Sequence, residues 1–168
     1  MSSALTVEAV DFDQLVARAE VIVIGTVRDT RSALGADGQT IYTWADLVDL
    51  DVLKGDVPEA VYRLRVPGGV LGDAAQIYPG MPVLKRGERY VLFVRGHLQQ
   101  FIPFVGAFQG VYSIRRVDGE ERVLRYDRLS SETAFAAGAM LNSAPTLDEF
   151  VQQIRGQLIN KPTMSDAP

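Results

Sequence analysis

The chain has 168 residues, a net charge of -4 with both signs interspersed, and no cysteine. That length suits a single domain with its own core, and the mildly acidic, unblocked charge pattern argues against a nucleic-acid partner, which asks for a basic face. The missing cysteines exclude disulfides, thiolate metal sites and a thiol nucleophile, and no run of about 18 apolar residues marks a transmembrane helix.

Met1 to Ala9 is a polar lead-in. The stretch from Met1 to Leu15 has neither a basic n-region nor an apolar h-region, so no signal peptide is read here, although a mature exported domain would begin the same way. Asp11 to Ala19 reads as a short helix, with Asp11 as cap, Gln14 at the capping-box spacing, and Phe12, Leu15, Val16 and Ala19 on one stripe. Val21 to Val27 (VIVIGTV) is almost wholly β-branched and reads as a buried strand, with Gly25 marking a bulge or a close approach. Asp29 to Gln39 reads as a flexible hairpin loop.

The segment Thr40 to Gly69 organises the chain: a long strand, a turn at Lys54-Gly55-Asp56, and an amphipathic third strand over Val61 to Val66 that ends in Pro67-Gly68-Gly69. Apolar residues occupy both parities of the long strand. Asp46 shares a parity with Tyr42 and Trp44, whereas Asp49 and Asp51 share one with Ile41 and Leu47. A regular pleat cannot expose all three carboxylates on one side, so a bulge is expected near Ala45 to Val48.

Pro67 to Gly87 is rich in Pro and Gly and has little periodicity. It reads either as a crossing connection that caps one end of a barrel or as an interaction loop in which Tyr78 and Met81 are exposed anchors between prolines. Tyr90 to Val94 (YVLFV) is a second buried strand, and Phe101 to Val105, with Pro103, an irregular or edge strand. Val111 to Arg116 and Glu121 to Tyr126 alternate around Asp118-Gly119, the strongest hairpin signal in the chain. Ser130 to Ser143 is weakly patterned. A final helix is expected over about 146-159, with Thr146 as cap, Glu149 at the capping-box spacing, and Phe150, Ile154 and Leu158 as its stripe. Asn160 to Pro168 reads as a disordered tail.

No catalytic set emerges. His97 is the only histidine, which removes multi-histidine zinc sites and histidine triads, and it reads as an exposed turn residue. Asp46, Asp49 and Asp51 are candidates for half of a carboxylate metal site or an acid/base pair, against a solvated strand edge. They lack the glycine turn and terminal Glu of a calcium loop. The glycines of Pro67 to Gly69 and Gly106 to Gly110 are not followed by the helix that a phosphate loop needs, so no cofactor is expected. Trp44 with Tyr42 is either core or a ligand-stacking pair. The arginines at 63, 65, 115, 116, 122 and 125 are interleaved with acids and read as a mixed solvent face.

Five stretches carry a resemblance: ARAEVIVIGTV (Ala17 to Val27), VLKG (Val52 to Gly55), RVPGG (Arg65 to Gly69), YPGMPVLKRGERYVLFV (Tyr78 to Val94) and GAFQGVYSI (Gly106 to Ile114). In this order the chain resembles a group of uncharacterised bacterial exported proteins that look like OB-fold barrels, distantly similar to netrin-like and tissue-inhibitor-of-metalloproteinase (TIMP-like) domains. The inhibitor mechanism needs an N-terminal Cys and does not carry over. The resemblance implies an exported location, periplasmic or extracellular, with cytoplasmic as the alternative.

The expected architecture is therefore one mainly β domain over 1-168, a small antiparallel OB-like β-barrel over about 20-127 with a short N-terminal helix and a C-terminal helix. The expected role is a non-enzymatic module that contacts a protein or glycan through Pro67, Gly68, Gly69, Tyr78, Pro79 and Met81, with Trp44 on the barrel face. The alternatives are a metal-assisted hydrolase built on Asp46, Asp49 and Asp51, or a structural homodimer paired through an exposed edge strand.

Overall fold

The computed structural model describes residues 7–127 and 134–160; the start of the lead-in and the 161–168 part of the expected tail lie outside the described residues. The chain runs α1 (Phe12–Arg18), β1 (Val21–Leu34), β2 (Ile41–Lys54), β3 (Tyr62–Pro67), β4 (Gly69–Leu71), β5 (Ala74–Gln76), β6 (Arg89–Val94), a 3-10 turn (Ala107–Gly110), β7 (Val111–Val117), β8 (Glu120–Arg125), α2 (Ala134–Ser143) and α3 (Leu147–Asn160). Six strands form one antiparallel sheet in the order β3-β2-β1-β6-β7-β8, and β4 and β5 form a separate hairpin.

The sheet is open, which corrects the expected OB-like barrel and with it the netrin-like and TIMP-like reading. Closure would require an edge strand to pair with β3, yet β3 and β8 sit at opposite ends of the order. Each edge is occupied by something other than a strand. Along β8, the Val123 N–H donates to Pro145 O at 3.0 Å and Arg122 Nη1 to Ala144 O at 2.7 Å. On β3, the Arg65 N–H donates to His97 Nε2 at 3.3 Å, and Pro67, which has no N–H, ends the strand. His97 sits in a turn as expected, but half-buried and capping the edge rather than exposed.

The apolar runs of β1 and β6 show why two layers form. Side chains alternate across a strand, so a continuous apolar run needs cover on both faces. On one face Ile22, Ile24, Val91, Phe93, Ile114 and Val123 pack under α1 and α3 with Leu15, Val16, Phe150 and Ile154. Phe12, Phe93, Tyr112 and Phe150 meet there at ring separations of 4.8–6.4 Å. The opposite face gathers Val23, Val27, Ala45, Leu47, Leu64, Val66, Tyr90, Leu92 and Val111 with Leu84 and Phe104 from connecting segments.

The two long strands bend through three register shifts. One falls at Leu47/Asp46, inside the expected Ala45 to Val48 window, with Arg28 as the extra residue on β1; another falls opposite Gly25, where Asp49 adopts φ 52°. A Cβ at Gly25 would stand 3.0–3.1 Å from Leu50 and Leu47, so this glycine serves the close approach. Strand β1 also runs through most of the segment read as a loop: residues 29–34 pair with β2, and the turn narrows to Gly35–Thr40. There the Asp37 carboxylate accepts from Gln39 N, Thr40 N and the Thr40 hydroxyl, which holds it down at about 2.

Both expected capping boxes form. The Asp11 carboxylate accepts from Gln14 N at 2.8 Å, and the Thr146 hydroxyl accepts from Glu149 N at 3.2 Å. Asp118 (φ 50°) and Gly119 (φ 84°) make the β7-β8 turn with two left-handed residues, as the Asp-Gly signal requires. The weakly patterned stretch contains α2, which carries no charge and packs on β7 and β8. No described helix is long and apolar enough to cross a membrane.

Candidate functional site

The Pro/Gly-rich segment builds a groove. Beyond Pro67 the chain reverses through Gly68 (φ 97°) and Gly69 (φ 143°), a geometry closed to other residues. A Cβ on Gly69 would collide with Thr43 Oγ1 and Ser32 Oγ. The reversal is fixed by Gly68 N–H donating to Ile41 O at 2.8 Å and the Thr43 hydroxyl donating to Gly68 O at 2.7 Å. The β4-β5 hairpin is then anchored by one side chain: Gln76 Oε1 accepts from Ile41 N, and Gln76 Nε2 donates to Gln39 O, both at 2.7 Å.

The facing wall, Met81 to Leu84, belongs to no strand or helix. Tyrosine hydroxyls replace the missing neighbour: Val83 N–H donates to Tyr126 Oη and Lys85 N–H to Tyr90 Oη, each at 3.1 Å. Tyr90 in turn donates to Glu88 Oε2 at 2.7 Å, and burial together with that carboxylate pushes its phenol far up, so it stays protonated. Both walls are therefore held in place before any ligand arrives.

Between the walls lies a cavity of about 280 Å³, floored by Thr43, Ala45 and Val66 and flanked by Tyr78, Met81 and Leu84. Its lining holds no charged residue. The polar side-chain atoms it does hold are already engaged: Thr43 Oγ1 with Gly68 and Ser32, both amide atoms of Gln76 with backbone, and the Tyr78 hydroxyl with Gln76 Oε1 at 3.4 Å. The outer lips are apolar and open to solvent, with Val70 66%, Ile77 86% and Val83 62% exposed.

The sequence candidates divide. Pro67, Gly68, Gly69, Tyr78 and Met81 come together in this groove. Pro79 sits on the exposed turn beyond it. Tyr78 and Met81 are half-buried walls rather than exposed anchors; Tyr78 stacks edge-on against Phe101 at 5.1 Å and Met81 packs on the core. The exposed apolar positions are Val70, Ile77 and Val83, which sequence reading did not single out. Their signal was three β-branched residues in a stretch without alternation. Trp44 points to the other face of β2, half-buried, where it lines a shallow cleft with Asp29, Thr30, Arg31 and Asp46.

The three strand carboxylates do not converge. Asp46 is clamped by Arg63 at 2.6 and 3.0 Å and by Arg28 at 3.3 Å, and these cations hold its carboxyl below the usual range. Asp49 is exposed at the bulge, and Asp51 is exposed opposite Ile24 in β1. Among the described residues no group of three or more His, Asp or Glu side chains is placed to hold a metal ion.

No family model, no curated protein and no solved structure matches the chain. The resemblance drawn from the five stretches thus finds no family behind it, and the open sheet contradicts the barrel it implied.

Proposed function

We propose that this chain is a non-enzymatic binding module whose groove, between the β4-β5 hairpin and the 81–84 segment, receives an extended apolar segment of a partner protein. The observation that carries this reading is the set of exposed lips, Val70, Ile77 and Val83, around a preformed cavity whose polar groups are already satisfied. A glycan needs an array of free donors and acceptors beside its aromatic platforms, and the few polar side chains of this lining, Thr43, Gln76 and Tyr78, are already tied to the backbone or to one another. Apolar side chains need only the area. Burying each lip residue contributes on the order of 1–2 kcal/mol, and walls fixed in advance lower the ordering cost of binding.

The test is selection of a random 12-residue peptide library on the immobilised chain, followed by calorimetry of the selected peptides on the wild type and on an Ile77→Ser/Val83→Ser variant. Enrichment of apolar stretches, binding with a negative heat-capacity change, and loss of binding in the variant are expected. Failure to enrich any sequence, or equal affinity for the variant, would remove the groove from consideration.

A further inference from the structure

Arg63 and Arg65 stand two residues apart on β3, so their side chains leave the same face of the strand. They are treated differently. Arg63 is neutralised by Asp46 through two hydrogen bonds. Arg65 has no carboxylate within ion-pair distance among the described residues. Its guanidinium instead lies over the Tyr42 ring, 4.5 Å from the centroid, with Nη2 reaching Leu98 O at 3.4 Å. Stacking of this kind orients a planar cation and leaves its charge uncompensated.

A continuous line of rings joins this cation to the groove. Tyr42 packs edge-on against Phe101 at 6.2 Å, and Phe101 against the groove wall Tyr78 at 5.1 Å. Phe101 and Leu98 beside it are 44% and 52% exposed. Arg65 is on the opposite face of β3 from the groove residue Val66, so anything lying in the groove reaches it by crossing the strand end at Pro67, along this ridge. Two ring contacts and the cation contact separate Tyr78 from the guanidinium. About five residues of extended chain, at roughly 3.3 Å each, cover that distance.

Resting on the groove reading above, we infer that the partner segment is not uniformly apolar: it carries an Asp, a Glu or a terminal carboxylate within about five residues of its apolar stretch, on one side only, and Arg65 pairs with it. The groove supplies area without charge; Arg65 supplies polarity and hence the direction in which the segment lies. A planar guanidinium already oriented by Tyr42 suits a bidentate carboxylate contact.

The test compares peptides selected from the same 12-residue library by the wild type, by Arg65→Gln, and by a Lys85→Gln/Arg86→Gln variant that removes the cations at the end of the other wall. Wild-type selections should place an acidic residue on a constant side of the apolar stretch, and Arg65→Gln selections should keep the apolar stretch and lose the acid. An acidic wild-type peptide should bind Arg65→Gln roughly three- to tenfold more weakly and Arg65→Lys at an intermediate level, with salt sensitivity present only where the charge is kept. Apolar selection without an acidic preference overturns the inference and leaves the groove standing. An acidic preference that survives Arg65→Gln, or that disappears only in the Lys85/Arg86 variant, also overturns it. If the library enriches nothing, the groove reading and this inference fall together.

Discussion

The two apolar clusters on either side of the sheet are built from the same residue types and end differently. The helix-side cluster is sealed by α1 and α3, with Ile154 at 0% exposure and Phe150 at 4%. The opposite cluster continues past Ala45 and Val66 into the groove, where no described helix covers it and Val70, Ile77 and Val83 face water. Residue chemistry alone does not separate a core from a binding surface. Cover does, and a face whose backbone is fixed but whose apolar lips are left bare is the one with a free face to offer.

Deepening the contrast should give large and separable effects. Ile154→Ala removes a sealed side chain and is expected to cost about 2–5 kcal/mol in urea unfolding. Gly69→Ala, which forces a Cβ into Thr43 and Ser32 at a left-handed φ, should cost roughly 1–3 kcal/mol and distort the hairpin wall. Thr146→Ala, removing the cap of α3, should cost about 1 kcal/mol with no effect on the groove. At the other extreme, Ile77→Ser and Val83→Ser should each change stability by no more than about 0.5 kcal/mol, because those side chains are already in water. A large loss there would mean the lips are core.

The edge cap gives a pH test of the open sheet. Burial, with the nearby Arg65 charge, holds the His97 imidazole below its ordinary value of about 6.5. The folded chain therefore keeps His97 neutral where the unfolded chain takes up a proton, so stability is full above about pH 6.5 and falls as pH drops toward the folded value. The carboxylates held low, Asp46 among them, do not contribute until the pH is well below this window. As His97 is the only histidine, urea midpoints at about pH 7.5 and 5.5 should differ in the wild type and converge in His97→Gln, whose amide oxygen can still accept from Arg65 N.

Much of the fold was legible where local chemistry decides it. Both capping boxes, the Asp118-Gly119 turn and the buried runs of β1 and β6 are short-range signals, and each appears where its residues stand. What failed was closure. A continuous apolar run reports cover on both faces but not whether the second layer is the far side of a barrel or a helix, and here it is a helix. The β4-β5 hairpin was invisible because its strands, Gly69–Leu71 and Ala74–Gln76, exist through long-range contacts such as Gln76 with Ile41. The polar half of β1 was missed because its pairing with β2 is sustained by contacts such as Ser32 with Thr43, not by burial. The helix α2 lacks an apolar stripe and so gave no period to read. At the site, Pro67 to Gly69, Tyr78 and Met81 were found through composition, whereas the lips depended on knowing which β-branched side chains the two groove walls turn outward.

The most direct measurement is amide hydrogen exchange on the chain with and without a saturating library-selected peptide. Added protection over residues 43–45, 66–71 and 76–85, with no change across α3 or over the 29–31 side of the Trp44 cleft, is expected. Protection concentrated on residues 29–31 or the helix face, with the groove unchanged, would contradict the groove as the binding surface.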